Sequence, residues 1–189
     1  MNILVLYASL EGQTAKIADY IARLLRGNDH QVATLSADHV PADFDLADYD
    51  AVIIGAPIHM GKYPRYLKKY VINHVKQLNT IPCAFFTVCM AIHSQRQQSR
   101  QVAAAYKESF MQQTHWHPQL TATFSGAVKY TQYNFVTRYI MKNISRKEGG
   151  STDTSIDHEY TDWGTVANFV TKFNSVLIAS KQKHALGTN

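Results

Sequence analysis

The sequence predicts an α/β domain: a doubly wound, five-stranded parallel sheet of order 2-1-3-4-5, with a long helical insertion after the last strand. Three observations point there. Short apolar runs such as Ile3-Leu4-Val5-Leu6 and Ala51-Val52-Ile53-Ile54 alternate with segments of helical periodicity. Strands buried on both faces and joined by helices make a parallel sheet. The segment Ser9-Leu10-Glu11-Gly12-Gln13-Thr14 turns the first strand directly into a helix. In open sheets of this kind, ligands bind at such strand-to-helix turns.

The elements follow in order. Residues 2–8 form the first strand. Residues 14–27 form a helix with Ile17, Ile21, Leu24 and Leu25 on one face, ended by Gly27 and Asn28. A short strand covers 31–35. The next strand, 51–54, is closed by Gly55. Residues 63–77 are helical, carrying Tyr66, Leu67, Tyr70, Val71 and Val75. Residues 82–90 are a third long apolar strand. A polar helix over 97–113 turns Val102, Tyr106 and Phe110 inward. Residues 120–128 are strand-like. The closing helix spans 162–179, with Val166, Phe169, Val170, Phe173 and Val176 or Leu177 facing the core.

With 189 residues, the chain forms one domain over 1–179, with an insertion at 129–158 and a polar tail at 180–189 that frays. Met1 leads straight into a strand, and no apolar run approaches the roughly 18 residues of a spanning helix. A cytosolic protein is expected, or one bound to a membrane from its cytosolic side. Cys83 and Cys89 lie roughly 20 Å apart along one strand, too far for a disulfide. Both are read as buried thiols. The net charge is +5, which favours an anionic partner.

For strand order 2-1-3-4-5, the loops after strands 1 and 3 lie side by side. Free N–H groups and the dipole at a helix N-terminus suit a phosphate. Ser9, Gln13 and Thr14 add side-chain donors, and Gly12 allows close approach. Glu11 is compatible only if its carboxylate points away. The loop lacks both G-x-x-x-x-G-K-[ST] and G-x-G-x-x-G, so a monophosphate fits better than a triphosphate or dinucleotide. Ala56-Pro57-Ile58-His59-Met60, after strand 3, offers an apolar surface for a flat ring. Val88-Cys89-Met90-Ala91-Ile92-His93 follows the next strand at the same edge. Phosphate at one loop and a ring between two others describe an FMN site, with Gly126 beside the ring.

Residues 129–147 carry Lys129, Arg138, Lys142, Arg146 and Lys147 and no acid, a charge equal to that of the whole chain. A helix over about 133–145 places Phe135, Val136, Tyr139, Ile140 and Ile144 on one face. A basic amphipathic helix with Tyr133 and Tyr139 fits an anionic membrane surface or an acidic, apolar substrate. His115 and His117 lack further ligands, so no metal is expected. His59 and His93 are read as loop histidines, and no general base is assigned.

The loop Ser9–Thr14 and the segment Gly55-Ala56-Pro57-Ile58 resemble those of flavodoxin-like proteins. With Gly61 and Tyr63, Phe124-Ser125-Gly126-Ala127, Tyr130, Gly149-Gly150-Ser151-Thr152-Asp153 and Tyr160-Thr161-Asp162-Trp163, the likeness extends over nearly the whole chain. These segments resemble the flavodoxin-like, quinone-dependent protoporphyrinogen IX dehydrogenase family of bacterial haem synthesis. His59-Met60 departs from it, where a more basic loop is expected. The resemblance implies oxidation of protoporphyrinogen IX in three two-electron steps. It also implies FMN as cofactor, a membrane quinone (menaquinone or ubiquinone) as acceptor and a peripheral position on the cytoplasmic face of the inner membrane. Nucleic acid is not an expected partner, and a homo-oligomer is compatible with this scheme. An FMN-dependent NAD(P)H:quinone reductase and a flavodoxin electron carrier are the rival functions; the basic charge argues against the carrier.

Overall fold

The computed structural model describes residues 1–94 and 96–186. Five parallel strands form the sheet in the order β2-β1-β3-β4-β5. They are β1 (Asn2–Tyr7), β2 (Gln31–Ser36), β3 (Ala51–Pro57), β4 (Cys83–Val88) and β5 (Leu120–Phe124). Helices α1 (Gln13–Arg26), α2 (Arg65–Leu78) and α3 (Gln97–Thr114) connect them. Beyond β5 come β6 (Ala127–Val128), α4 (Phe135–Lys147), β7 (His158–Glu159) and the closing helix α5 (Trp163–Leu186).

The apolar runs divide between two cores because side chains alternate across a strand. Ile3, Val5, Ala51, Ile53, Ala84 and Phe86 pack on one face, against α1 and α5. Leu4, Leu6, Val52, Ile54, Cys83 and Phe85 pack on the other, with Phe110 of α3 and Leu67 and Val71 of α2. A strand buried on both sides must be continuously apolar, as these are.

Several element boundaries differ from those expected. Gly55 does not close β3. The strand continues to Pro57 because Gly55, Ala56 and Pro57 pair with Phe86, Thr87 and Val88. Glycine is required there: a Cβ on Gly55 would stand 2.0 Å from Cζ of Phe86. In α3, Val102 is 44% exposed and Tyr106 also faces outward, while Ala103, Phe110 and Thr114 are buried. The core stripe is thus rotated by one residue from the expected Val102-Tyr106-Phe110 line, and only Phe110 is common to both. The final strand breaks after Phe124, and Ala127–Val128 pairs antiparallel with His158–Glu159 instead of extending the main sheet. At the end of the chain, α5 continues to Leu186, through most of the tail expected to fray. Residues 187–189 lie outside the described residues.

Neither cysteine is in a disulfide. Cys83 is buried on β4 and accepts the Trp116 indole N–H at 3.1 Å. Burial pushes its thiol up to about 11. Cys89 lies just past the strand and is half-buried.

Candidate cofactor cleft

The cleft is formed where β1, β3 and β4 end. The turn from β1 into α1 uses Gly12 in the left-handed region, at φ 84°, which only glycine adopts without strain. Open space lies where its Cβ would be. Ser9 Oγ accepts the N–H groups of Gly12 (3.1 Å) and Ala15 (3.4 Å), and so organises the first turn of α1. A hydroxyl, a glycine and helix-terminal amides converge on one point, the chemistry an anion requires.

Gln13 and Thr14 are buried. Gln13 Nε2 donates to Thr161 Oγ1 (2.8 Å), which donates onward to the Ser125 carbonyl (2.8 Å). The other amide atom, Gln13 Oε1, is buried without a partner. An orphaned acceptor beside an anion site suits a hydroxyl-bearing chain attached to the phosphate. The residues present therefore fit a phosphate-bearing cofactor.

Leu10, Glu11, Gln13 and Thr14 line the cleft together with Pro57, Ile58, His59, Val88, Cys89, Met90 and Gly126. Ser9 and Gly12 form the turn beside it, and the remaining candidates do not line it. Ala56 is buried within β3. Met60 sits at the tip of a hairpin turn in which His59 and Lys62 exchange backbone bonds of 3.0 and 3.1 Å. That turn holds Met60 at φ 49° and Gly61 at φ 75°, and leaves Met60 88% exposed. Ala91, Ile92 and His93 follow Met90 around a single 3-10 turn and do not line the cleft. The His93 ring instead lies 4.4 Å from that of Tyr160.

Ala127 lines the cleft beside Gly126, and one lining residue, Met141, was not singled out in the sequence. Met141 comes from α4, packs with Met90 and Tyr160 against Val128, Tyr130 and Tyr133, and brings the insertion over the cleft. The available signal was the pair Met141 and Ser145, four residues apart at the back of the apolar stripe. Ser145 is buried, and its hydroxyl donates to the Ser151 carbonyl at 2.7 Å. Ser151 N–H in turn donates to Tyr160 Oη at 2.6 Å. A Cβ on Gly150 would meet Ser145 Oγ at 2.5 Å, so the Gly149-Gly150-Ser151 segment clamps the end of α4.

Glu11 is held by the insertion. Its carboxylate accepts the Tyr133 hydroxyl at 2.6 Å. Burial, and the carboxylate beside it, push the Tyr133 phenol well above its ordinary value, so it stays a donor. Tyr133 is itself buried, which removes it from any outward-facing surface. Arg138 donates to the carbonyls of Tyr130 and Tyr133, both at 3.1 Å, and tethers α4 to the turn before it. Lys129 lies 3.8 Å from Asp157. Tyr139, Arg146 and Lys147 are exposed, and Lys142 is half-buried. The expected apolar stripe of α4 faces outward: Phe135 is 84% exposed, and Val136, Tyr139, Ile140 and Ile144 are exposed with it. α4 therefore rests on the domain through Met141 and Ser145, and its larger apolar face is unpartnered. Among the described residues, no helix is long and apolar enough to cross a membrane and no metal-binding cluster is present.

A family model described as a flavodoxin domain matches residues 4–155. The chain is 34% identical over 171 residues to a protoporphyrinogen IX dehydrogenase [quinone] of Escherichia coli K12, covering 89% of this chain and 92% of that one. It is 32% identical over 176 residues to a Leishmania major protein of the same name, covering 93% of this chain and 76% of that one. Among solved structures, the Streptococcus pneumonia TIGR4 flavodoxin superposes with a TM-score of 0.54 at 13% identity, over 95% of this chain and 99% of that one. The last likeness concerns the fold alone. The domain match implies a flavin cofactor.

Proposed function

Because the chain belongs to the flavodoxin-domain family, we propose that it is an FMN-dependent dehydrogenase that oxidises protoporphyrinogen IX to protoporphyrin IX and delivers the electrons to a membrane quinone. The observation that carries this is the cleft where β1, β3 and β4 end, roofed by Met141 of the insertion. When bound, the flavin supplies the two-electron redox chemistry, while the protein supplies binding, orientation and electrostatics.

The chain's residues divide this work. The α1 N-terminus and Ser9 hold the phosphate, with Thr14 beside them. Gln13 Oε1 accepts from a ribityl hydroxyl. Pro57, Ile58, His59, Val88, Cys89 and Met90 bound the ring, and Gly126 keeps the backbone close to it. Glu11 is drawn aside by Tyr133, so the loop presents donors without an opposing carboxylate. Met141 excludes water from one side of the cleft.

The outward face of α4 meets the cytoplasmic side of the inner membrane. Phe135, Val136, Tyr139, Ile140 and Ile144 are apolar, exposed and continuous, and Lys142 flanks them. Such a helix lies in the interfacial plane, and each cation near an anionic bilayer contributes about 1 kcal/mol. This position brings the cleft to a lipid-dissolved quinone, menaquinone or ubiquinone.

The decisive measurement is an absorbance spectrum of the purified protein, followed by anaerobic addition of protoporphyrinogen IX and then of quinone. Bleaching of a flavin band by the porphyrinogen, with porphyrin fluorescence appearing and the band returning on quinone addition, is expected. Bleaching by NADH and not by porphyrinogen overturns the substrate assignment. A colourless protein that takes up no FMN overturns the cofactor assignment.

A further inference from the structure

The cations near the insertion are unequally partnered. Lys16 pairs with Glu159, Lys129 lies near Asp157, and Arg138 is held by two carbonyls. Arg96, Arg146 and Lys147 differ. With His93, Ser94, Glu148 and Gly149 they line a second cleft of about 240 Å³, between the start of α3 and the end of α4. None of the three has an ion-pair partner among the described residues. Glu148 is the one acid in the lining, and its Oε2 is buried without a hydrogen-bond partner. Three cations against one carboxylate leave an excess of 3 − 1 = 2 positive charges around one opening. Arg96 is also the N-cap of the 18-residue helix α3 and receives no side-chain cap bond, so that helix's positive pole adds to the excess.

The second cleft adjoins the first. Cys89 and Met90 line the flavin cleft, and His93 and Ser94, at the end of the same short turn, line this one. On α4, Met141 roofs the flavin cleft, and Arg146 stands five residues further on, about 7.5 Å along the axis. The His93 ring, which lines the second cleft, lies 4.4 Å from the ring of Tyr160, which packs with Met90 and Met141 of the first. A flat molecule placed against the flavin, with acidic arms on one edge, brings those arms here. Guanidinium groups suit this role, since their planar fork matches a carboxylate.

The geometry points to this second cleft as the site for the carboxylate arms of the tetrapyrrole, with Arg96 and Arg146 as their principal partners. This rests on the function proposed above. Arg96 is the N-cap of α3 and not part of the amphipathic helix α4, so its role can be tested apart from membrane contact.

The test uses flavin-loaded protein and two probes in mild detergent, protoporphyrin IX and its dimethyl ester, with binding followed by porphyrin fluorescence. The unaltered protein is expected to prefer the diacid by about tenfold or more, an ordinary effect of a charge-assisted contact. In the double variant Arg96→Gln, Arg146→Gln the preference should vanish while ester affinity and flavin content stay put. Arg96→Lys, which keeps the charge, should retain most of it. A double variant that still prefers the diacid overturns the site. So does one that keeps this preference but no longer sediments with phosphatidylglycerol vesicles, since its cations then serve lipid headgroups. If the unaltered protein oxidises porphyrinogen yet shows no diacid preference, only this inference fails. If it neither oxidises porphyrinogen nor binds either probe, the proposed function fails with it.

Discussion

Glu11 and Tyr133, 122 residues apart in sequence, meet through a 2.6 Å hydrogen bond that joins the anion loop to the insertion. The Tyr133 hydroxyl donates to Glu11 and accepts the Lys129 backbone N–H at 3.3 Å. The loop gains a restraint on its only acid. The insertion gains an anchor at the cleft. The acid in the turn between β1 and α1 thus has a structural reason.

The first expectation concerns that bond. Tyr133→Phe frees the Glu11 carboxylate to turn toward the phosphate, and FMN affinity should fall about tenfold, as for loss of a charged hydrogen bond of ~1.5 kcal/mol. Riboflavin, which has no phosphate, should bind equally well to both proteins. Adding Glu11→Gln should restore FMN affinity. Fluorescence titration with the two flavins checks this, and equal losses for both would mean that Tyr133 acts only through packing.

Gly55 makes a second case. Its Cβ position lies 2.0 Å from the Phe86 ring, within paired strands that cannot move apart. Gly55→Ala should destabilise the fold by about 1–3 kcal/mol, the usual cost of overpacking. Combining it with Phe86→Leu should recover part of that loss, because the two sites share one volume. Urea unfolding of the four proteins gives the comparison.

For α4, Phe135→Ser with Ile140→Ser removes exposed apolar surface. Stability should change by no more than about 0.5 kcal/mol per site, since neither side chain packs on the domain. Flavin content should be unchanged, and co-sedimentation with anionic vesicles should drop. A loss of stability of several kcal/mol would show that this face is buried in the working protein.

A pH effect on stability is expected from His30. Burial lowers its pKa below the ordinary 6.5, nearby positive charge adds to this, and its Nδ1 is buried without a partner. A lowered folded-state pKa means that the unfolded chain binds the proton more readily. Its contribution is therefore present above about pH 6.5 and lost as the pH falls below that value toward the folded pKa. His30→Gln should flatten the pH dependence of the melting temperature in this window. A slope unchanged by the substitution would assign it to other groups.

Much of this protein was legible in the sequence because its signals are local. Ile3-Leu4-Val5-Leu6 and Ala51-Val52-Ile53-Ile54 are apolar on both faces, which a strand needs only inside a parallel sheet covered by helices. Ser9 to Thr14 join a strand to a helix with hydroxyls and a glycine, so the strand-to-helix turn reads directly from its residues. The stripe of Phe135, Tyr139 and Ile140 follows from helical periodicity alone.

Periodicity fixes which residues share a face, but not what that face meets. Only the tertiary structure turned the stripe of α4 outward and set Met141 over the cleft. Only the packing of α3 replaced Val102 and Tyr106 with Ala103, Phe110 and Thr114 as its buried side. The charges of the insertion were equivalent in sequence, yet the fold gives Arg138 to carbonyls and Lys129 to Asp157. It leaves Arg146 and Lys147 beside Arg96, from a different segment. Propensity and pattern act over a few residues, so elements and local loops are written in the sequence. Partnership between residues such as Glu11 and Tyr133 depends on where distant segments come to rest, and the packing of the whole chain decides that.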